Sequence, residues 1–565
     1  MGNLLTSFGR TRAAWITKLS LVLSSKKLTF YSITFGTASY LWFVGSYALN
    51  PRNTNWIYNG INADPITHYL GWLFFKQDSW GIPLGKNSSY GLEISSSVVY
   101  SDSIPLMAIL GKLASIATTL DFQYFGIWLL ICFILQTLFS VKVIQLFTDN
   151  SMILCLASSL FTLIPMFLWR IQVHIALSSH FLIIWAIYLI LDSLKSRKDK
   201  SIEWLVLLVI SSLVHPYLFA INLILWFGAY CSFFSLRINS LKKNLINLLL
   251  TLISVAVSCF LIAGYDFNVT NSRNGTPVEF GTYRWNLLAP LVSYGYSLFF
   301  SDLISVSGNF ESYTYLGVGF WILIIIALRK FRPLRVLHTS TFRNFKWVLT
   351  SLICLTILAI TNKMAIGNFR LELPLSENLM EPLSIFYASA RFIWPTIYLF
   401  LFLVLILIIR NFREATTITL LSVVLIVQVV DTYPLSEKLR DFSTYSYSPT
   451  NEYLNDKNLV EKVSGKYEKL VVLLDGQIGS YDFPALTFFA YKMGMGTNNV
   501  SLARIDEAKL RNSRNKNLGE INSGNFNLDT VYVLLGDHFD FYTDYAKLDV
   551  YRSSKVTFLF PLDSN

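Results

Sequence analysis

Charge is what this sequence has least of. Of its 565 residues, 35 are Asp or Glu and 46 are Lys or Arg, so 14% are charged, against roughly 25% in an ordinary soluble protein. With 53% of residues hydrophobic and a mean hydropathy of +0.48, that scarcity excludes a disordered, collagenous or conventional soluble chain. Cysteine is sparse too. Cys132, Cys155, Cys231, Cys259 and Cys354 all lie in apolar stretches without metal-ligand or hairpin spacing, so neither a disulfide scaffold nor a thiolate metal centre is expected. No glycine-rich phosphate loop follows a strand, which leaves nothing to support a nucleotide-sugar enzyme. The first 28 residues are basic but lack a signal-peptidase pattern, and the first apolar stretch is expected to stay as an anchor. No inverted internal repeat of the transporter kind is visible.

What fills the chain is a series of apolar runs near the roughly 20 residues needed to cross a bilayer. They start at about 29, 124, 151, 175, 203, 217, 245, 315, 347, 392 and 415. A further run, Ser103 to Leu120, is short and carries Lys112 near its middle. The positive-inside rule decides how to treat it. If it does not span, the basic clusters Arg10 to Lys27, Lys195 to Lys200, Arg237 to Lys243, Arg329 to Lys346, and Arg410 with Arg413 share one side. If it does, every cluster after the first is inverted. The expectation is therefore an α-helical polytopic membrane protein of 11 transmembrane helices, with a re-entrant or interfacial helix at 103–120. Its N-terminus is cytoplasmic and its C-terminus outside. Cytoplasmic loops then account for the net charge of +11 without nucleic acid.

This threading places a first external loop at 50–123, others at 265–314 and 365–391, and a polar tail outside the membrane. Residues 1–431 form the membrane domain and 432–565 the tail. The tail's apolar pieces are short: Lys469 to Leu474, Thr530 to Leu535 and Lys555 to Phe560. Helix-like stretches lie between them, which predicts a small extracytoplasmic α/β domain.

Most of the unusual polar residues then collect on the outer face. Asp64, His68, Glu93 and Asp102 lie in the first loop. Arg170 and His174 follow the third span, and His215 and Tyr217 the fifth. Arg284 and Asn286 come next, then Glu311 and Tyr315, and finally Arg391. Each also fits a plain structural role. Arg170 and Arg391 suit interfacial anchors, and His215 before Pro216 suits a turn cap. Asp64 and Asp102 are placed to cap helices, with Pro65 at a favoured first position. His174 and His180 share no helical face, so they do not predict a metal pair.

The segments NADPITHYLGWLFF and WGIPLGKNSSYGLEISSSVVYSDSIP, followed by FLWRIQVHIALSSH, LVHPYLFA, YRWNLLAP, YTYLGVG, ASARFIWP and GMGTNNVSLAR, resemble a large family of bacterial membrane proteins. Those proteins look like GT-C glycosyltransferases. The resemblance runs nearly end to end. It implies a multi-span bundle, a long first external loop with membrane-parallel helices, an essential early acidic residue, and a sugar donor carried on a lipid phosphate or diphosphate. Asp64 best matches the acidic position, with Asp102 second. The paired acidic residues of several GT-C families are missing around Asp64, which leaves any divalent metal open.

On this reading Asp64 accepts the proton of the attacking hydroxyl, with Asp102 as stand-in or orienter. Arg391 and Arg284 receive the donor phosphate, since guanidinium forks match its oxygens, and His215 and Tyr217 add hydrogen bonds. His68, Glu93, Arg170, His174, Asn286, Glu311 and Tyr315 are candidate substrate contacts. The resemblance implies inverting transfer from a polyprenyl-phosphate sugar to a surface glycan such as lipopolysaccharide O-antigen, in a bacterial inner membrane with the tail in the periplasm. Three rivals are a glycan polymerase or ligase using a polyprenyl-diphosphate oligosaccharide, a lipid-linked glycan transporter, and a non-enzymatic assembly protein.

Overall fold

The computed structural model describes residues 26–562 apart from 59–63, 95–96, 119, 267, 271, 274–275, 301–309, 331–338, 445–450, 474–482, 536–546 and 554–555. The basic segment before residue 26, much of the cluster at 329–346, and Leu474 and Lys555 of two expected strands lie outside the described residues.

The chain is mostly helical. Long runs of Leu, Ile and Phe offer the backbone no side-chain partners, so its polar groups are satisfied within helices. These are α1 (26–43), α2 (Asp64–Gln77), α3 (Pro105–Ala114), α4 (Phe125–Gln145), α5 (Ser151–Thr162), α6 (Phe181–Ser196), α7 (Ser201–Val214) and α8 (Pro216–Ser235). There follow α9 (Leu241–Ala256), which continues as a π-helical stretch over Val257–Ala263, then α10 (Val318–Lys330), α11 (Thr339–Ile360), α12 (Trp394–Asn411) and α13 (Glu414–Asp431). Among the described residues, 6 helices are long and apolar enough to cross a membrane. They become 7 if α5 and Pro165–Gln172, bent by 45°, form one span. The bend falls at Pro165, which has no N–H to continue the ladder and crowds the residue before it.

Helix α3 holds the run at 103–120 to 10 residues, a rise of about 15 Å. Its Lys112 is buried, with the ammonium 4.2 Å from the Phe75 ring and 4.7 Å from that of Trp80. Cation–π attraction thus accommodates a charge that the apolar run left unexplained.

Among the strands, β1 (Lys363–Ile366) and β2 (Phe369–Glu372) form an antiparallel hairpin. The C-terminal region builds a five-stranded sheet from β3 (Lys469–Leu473), β4 (Gly496–Thr497), β5 (Thr530–Leu535), β6 (Leu548–Ser553) and β7 (Val556–Pro561), in the order β4-β3-β5-β7-β6. β3 runs parallel to β4 and β5, whereas β5–β7 and β6–β7 are antiparallel. The sheet docks on the helical part through its edge. Gly91 N–H donates to Thr497 O at 2.8 Å and Thr497 N–H to Ser89 O at 2.9 Å, so the first loop extends the sheet beyond β4. Beyond that edge, Ala503 N–H bonds Tyr100 O at 2.8 Å and Thr270 N–H bonds Ile505 O at 2.9 Å. The segment 501–505 is thereby threaded between two loops of the helical part.

Helix α2 is buried along most of its length, and the loop carrying Asp102 lies directly against it at Gly71. A Cβ on Gly71 would overlap the Ser101 side chain and come within 2.9 Å of Ser103 Oγ. The contact is fixed further by Ser103 Oγ donating to His68 O at 2.6 Å and Asn87 Nδ2 to Gly71 O at 2.8 Å. Gly71→Val should therefore lower stability by about 1–3 kcal/mol through overpacking. A fall in the thermal midpoint of the purified protein is the expected reading, and an unchanged midpoint would show that the loop yields.

Candidate functional site

One cavity of about 530 Å³ gathers residues from the start of α2, the 99–102 loop, His174, the α7–α8 turn, Glu311, 385–391 and the 501–504 segment. Its two ends differ in chemistry. On α8, Pro216, Phe219, Ala220, Leu223 and Ile224 face it at helical spacing, joined by Phe260 from the π-helical stretch. That stripe makes an apolar wall roughly 12 Å long. At the α8 N-terminus the lining changes to carboxylates, imidazoles and guanidinium groups.

Glu311 organises the polar end. It is 3% exposed, and its carboxylate accepts Arg391 Nε at 3.0 Å and Nη2 at 2.9 Å in a two-pronged fork. Arg170 Nη1 donates to the same carboxylate at 2.7 Å, and Arg170 Nη2 to the Glu311 carbonyl at 3.0 Å. His174 Nε2 lies 3.1 Å from Oε1. Burial pushes the Glu311 carboxyl upward, but Arg391, Arg170 and His174 outweigh it and hold the group well below the usual range. Two cations on one carboxylate are what let these charges lie inside the protein.

The second layer is acidic and imidazole-rich. Asp64 and His68 sit at i and i+4 on α2, so they share a face. Asp64 Oδ2 is 3.5 Å from His174 Nδ1, and the His68 and His174 rings stack with centroids 6.4 Å apart. His68 is 2% exposed, and burial pushes its imidazole down to about 3. Asp102 faces the same space, 3.6 Å from His215 Nε2. His215 Nδ1 accepts Tyr217 N–H at 3.1 Å, so in the neutral ring the proton sits on Nε2, toward Asp102. Removal from bulk water raises the Asp102 carboxyl, a rise moderated by His174 and Arg391. Asp102 has φ +53° and Ile104 φ +54°, two non-glycine residues in the left-handed region. Each costs on the order of 1–3 kcal/mol, and the contacts of Ser103 to α2 hold the loop in that shape. Asp102 does not cap α3, whose N-cap is Ile104 with no side-chain bond.

Among the described residues, His68, Asp102 and His174 offer ligand atoms within 4.8 Å of one another, a spacing that suits a metal ion. His180 takes no part: its Nδ1 lies 2.9 Å from the Tyr398 hydroxyl.

The structure brings Asp64, His68, Asp102, His174, His215, Tyr217, Glu311 and Arg391 to this cavity and places five other expected residues elsewhere. Arg284 does not line it; its Nη1 bonds Gly281 O at 3.1 Å, because the chain presents its neighbour Tyr283 to the cavity instead. Asn286 pins two loops, bonding Gly367 O at 2.8 Å and Gly367 N–H at 2.9 Å. Tyr315 donates to Asp431 at 3.0 Å. Glu93 pairs with Lys516 at 2.7 Å, a tether between the first loop and the C-terminal region. Arg170 is fully buried between Trp169 and Trp394 and supports Glu311 from behind. Arg391 does line the cavity, but its fork is engaged by Glu311, which argues against a phosphate role.

Arg504 is the residue that sequence reasoning missed. It lines the cavity from the C-terminal segment, bonds Ile385 O and Ala503 O, reaches the Tyr217 hydroxyl at 3.5 Å and stacks 3.9 Å from the Tyr387 ring centroid. Among the described residues these partners are neutral, so its charge is not matched by a carboxylate in contact. GMGTNNVSLAR ends on this residue, and that motif was the available signal.

Glu311→Gln should be the most destabilising single change at the site. It removes the charge between two buried guanidinium groups, a loss of about 3–5 kcal/mol. Arg391→Lys, which keeps the charge but not the fork, should lose less. Thermal unfolding of the purified variants checks the order, and an unaffected Glu311→Gln protein would contradict it.

No curated protein matches the chain. Two family models do: one described as domain of unknown function (DUF6311) over residues 33–433, and the DUF6311 C-terminal domain over residues 460–559. The first covers well over half of the sequence, and the chain belongs to the DUF6311 family.

Proposed function

We propose that the chain is a membrane glycosyltransferase of the GT-C type. It transfers a sugar from a polyprenyl-phosphate donor to a surface glycan, such as lipopolysaccharide O-antigen, on the periplasmic face of a bacterial inner membrane. In this reading all eleven apolar helical regions cross the bilayer, α2 and α3 lie along its outer side, and the C-terminal sheet is periplasmic. The observation that carries the reading is the two-ended cavity. An apolar helix face suits a prenyl chain, and it leads to a polar end where carboxylates, imidazoles and an arginine converge. A lipid-phosphate sugar has the same two-part chemistry.

The geometry supports these roles. Asp64, beside His174 at the head of α2, is the general base that takes the acceptor proton as the glycosidic bond forms. Arg504 replaces Arg391 and Arg284 as the phosphate ligand, because its guanidinium lines the cavity with no carboxylate in contact among the described residues and stabilises charge on the departing phosphate. Arg391 positions Glu311 and His174. A displacement at the anomeric carbon with one base inverts its configuration.

Mass spectrometry of surface polysaccharide from strains expressing the wild type, Asp64→Asn or no protein tests this. A hexose-sized increment present with the wild type and lost in Asp64→Asn is expected, with the transfer rate reduced roughly 10²–10⁴-fold. An increment retained at normal protein level removes Asp64 from the base role. No increment with the wild type, when the strain makes the donor and acceptor, overturns transfer. Arg504→Lys should raise the donor KM at least about tenfold, because a point charge does not reproduce the fork.

A further inference from the structure

We infer that His68, His174 and Asp102 form a binding site for a divalent transition-metal ion of the zinc class, with Asp64 at its edge. The first observation is the donor set. Two imidazoles and a carboxylate offer ligand atoms within 4.8 Å of one another. Imidazole nitrogen selects zinc-like ions over magnesium or calcium, which prefer oxygen. In a tetrahedral site with bonds of about 2.0–2.1 Å the donors lie roughly 3.3 Å apart. Closing to that distance requires movement of about 1–1.5 Å, available to Asp102 and His174, which are incompletely buried.

The second observation is the state of the two rings. His68 Nδ1 and His174 Nδ1 are buried atoms without a hydrogen bond among the described residues. Leaving a buried nitrogen unsatisfied is costly, and His68 is 2% exposed. On the other side of the His174 ring, Nε2 meets Glu311 Oε1 at 3.1 Å. Metal-bound histidines commonly donate their second ring N–H to a carboxylate, which fixes the tautomer and turns the other nitrogen toward the ion. With the proton on Nε2, the Nδ1 lone pair faces Asp64 Oδ2 at 3.5 Å. Two electron-rich atoms facing each other repel, which a proton or a cation relieves, and an ion held by the adjacent imidazole and Asp102 supplies it.

The three ligands come from three separate chain segments. His68 comes from α2, Asp102 from a loop in left-handed backbone, and His174 from the link between two short helical turns before α6. The close packing at Gly71 keeps the first two adjacent. One coordination position remains for water or a substrate oxygen.

Metal content reads this site whether or not sugar is transferred. The full-length protein, purified in lipid nanodiscs, is stripped with chelator, incubated with Zn²⁺, passed through a desalting column and measured by mass spectrometry for metal. About one equivalent per chain is expected, and the Co²⁺ form should show the intense visible absorption of four-coordinate nitrogen–oxygen ligation. His68→Gln and His174→Gln should each lower retention at least tenfold. A wild-type protein that retains less than a tenth of an equivalent overturns the proposal, as does a weak six-coordinate Co²⁺ spectrum. Unchanged retention in both folded variants would also overturn it by locating the ion elsewhere. If the variants fail to fold, the wild-type stoichiometry and Co²⁺ spectrum still decide.

Discussion

A carboxylate taken out of water must be surrounded by compensating charge, and the polar half of this protein is arranged around that requirement at Glu311. Arg170 and Arg391 reach it from positions 141 and 80 residues away in sequence, and His174 completes the shell. Arg170 and Arg391 lie within short helical turns, Trp169–Gln172 and Ser389–Ile393, and His174 directly precedes a third, Ile175–Ser178, so the ion cluster fixes where these segments meet. The geometry is stringent, because the remaining lone pairs of a buried carboxylate must all be met. Arg391 satisfies two of them with one planar group, which a lysine does not reproduce.

That requirement separates the arginines by role. Two are consumed in holding Glu311, and they orient His174 toward Asp64 and His68 in turn. Arg504 stands apart: it arrives from the C-terminal region, where its partners are carbonyls, a hydroxyl and an aromatic ring. The C-terminal sheet is therefore part of the cavity's construction. Its edge pairs with the first loop, and the segment leaving that edge is clamped by Tyr100 on one side and Thr270 on the other. Rigid main-chain pairing at both ends is what delivers a long side chain to a defined place.

The acidic and imidazole layer depends on close packing more than on charge. Gly71 has no side chain to keep the 101–103 loop off α2, and the loop accepts left-handed backbone at Asp102 and Ile104. The local cost is met by Ser103 bonding α2 and by Tyr124 donating to the Ser103 carbonyl. Strain held in place by surrounding structure, at a residue that faces a cavity, is a common property of functional sites.

Hydropathy and periodicity alone located the apolar helices and the apolar pieces of the C-terminal sheet, because both are properties of near neighbours along the chain. They also singled out the polar residues in the intervening segments, eight of which line the cavity. The i, i+4 spacing of Asp64 and His68 was legible in the same way. The sequence did not distinguish Arg391 from Arg504, or Asn286 and Tyr315 from true cavity residues. Polar side chains in loops look alike until their partners are known. Which arginine is neutralised depends on Glu311, a carboxylate far away in the chain, and whether His174 pairs with His180 or His68 depends on how α2 packs. Tertiary structure decided those points, since electrostatic and metal-ligand partnerships are set by distances in space that no local pattern encodes.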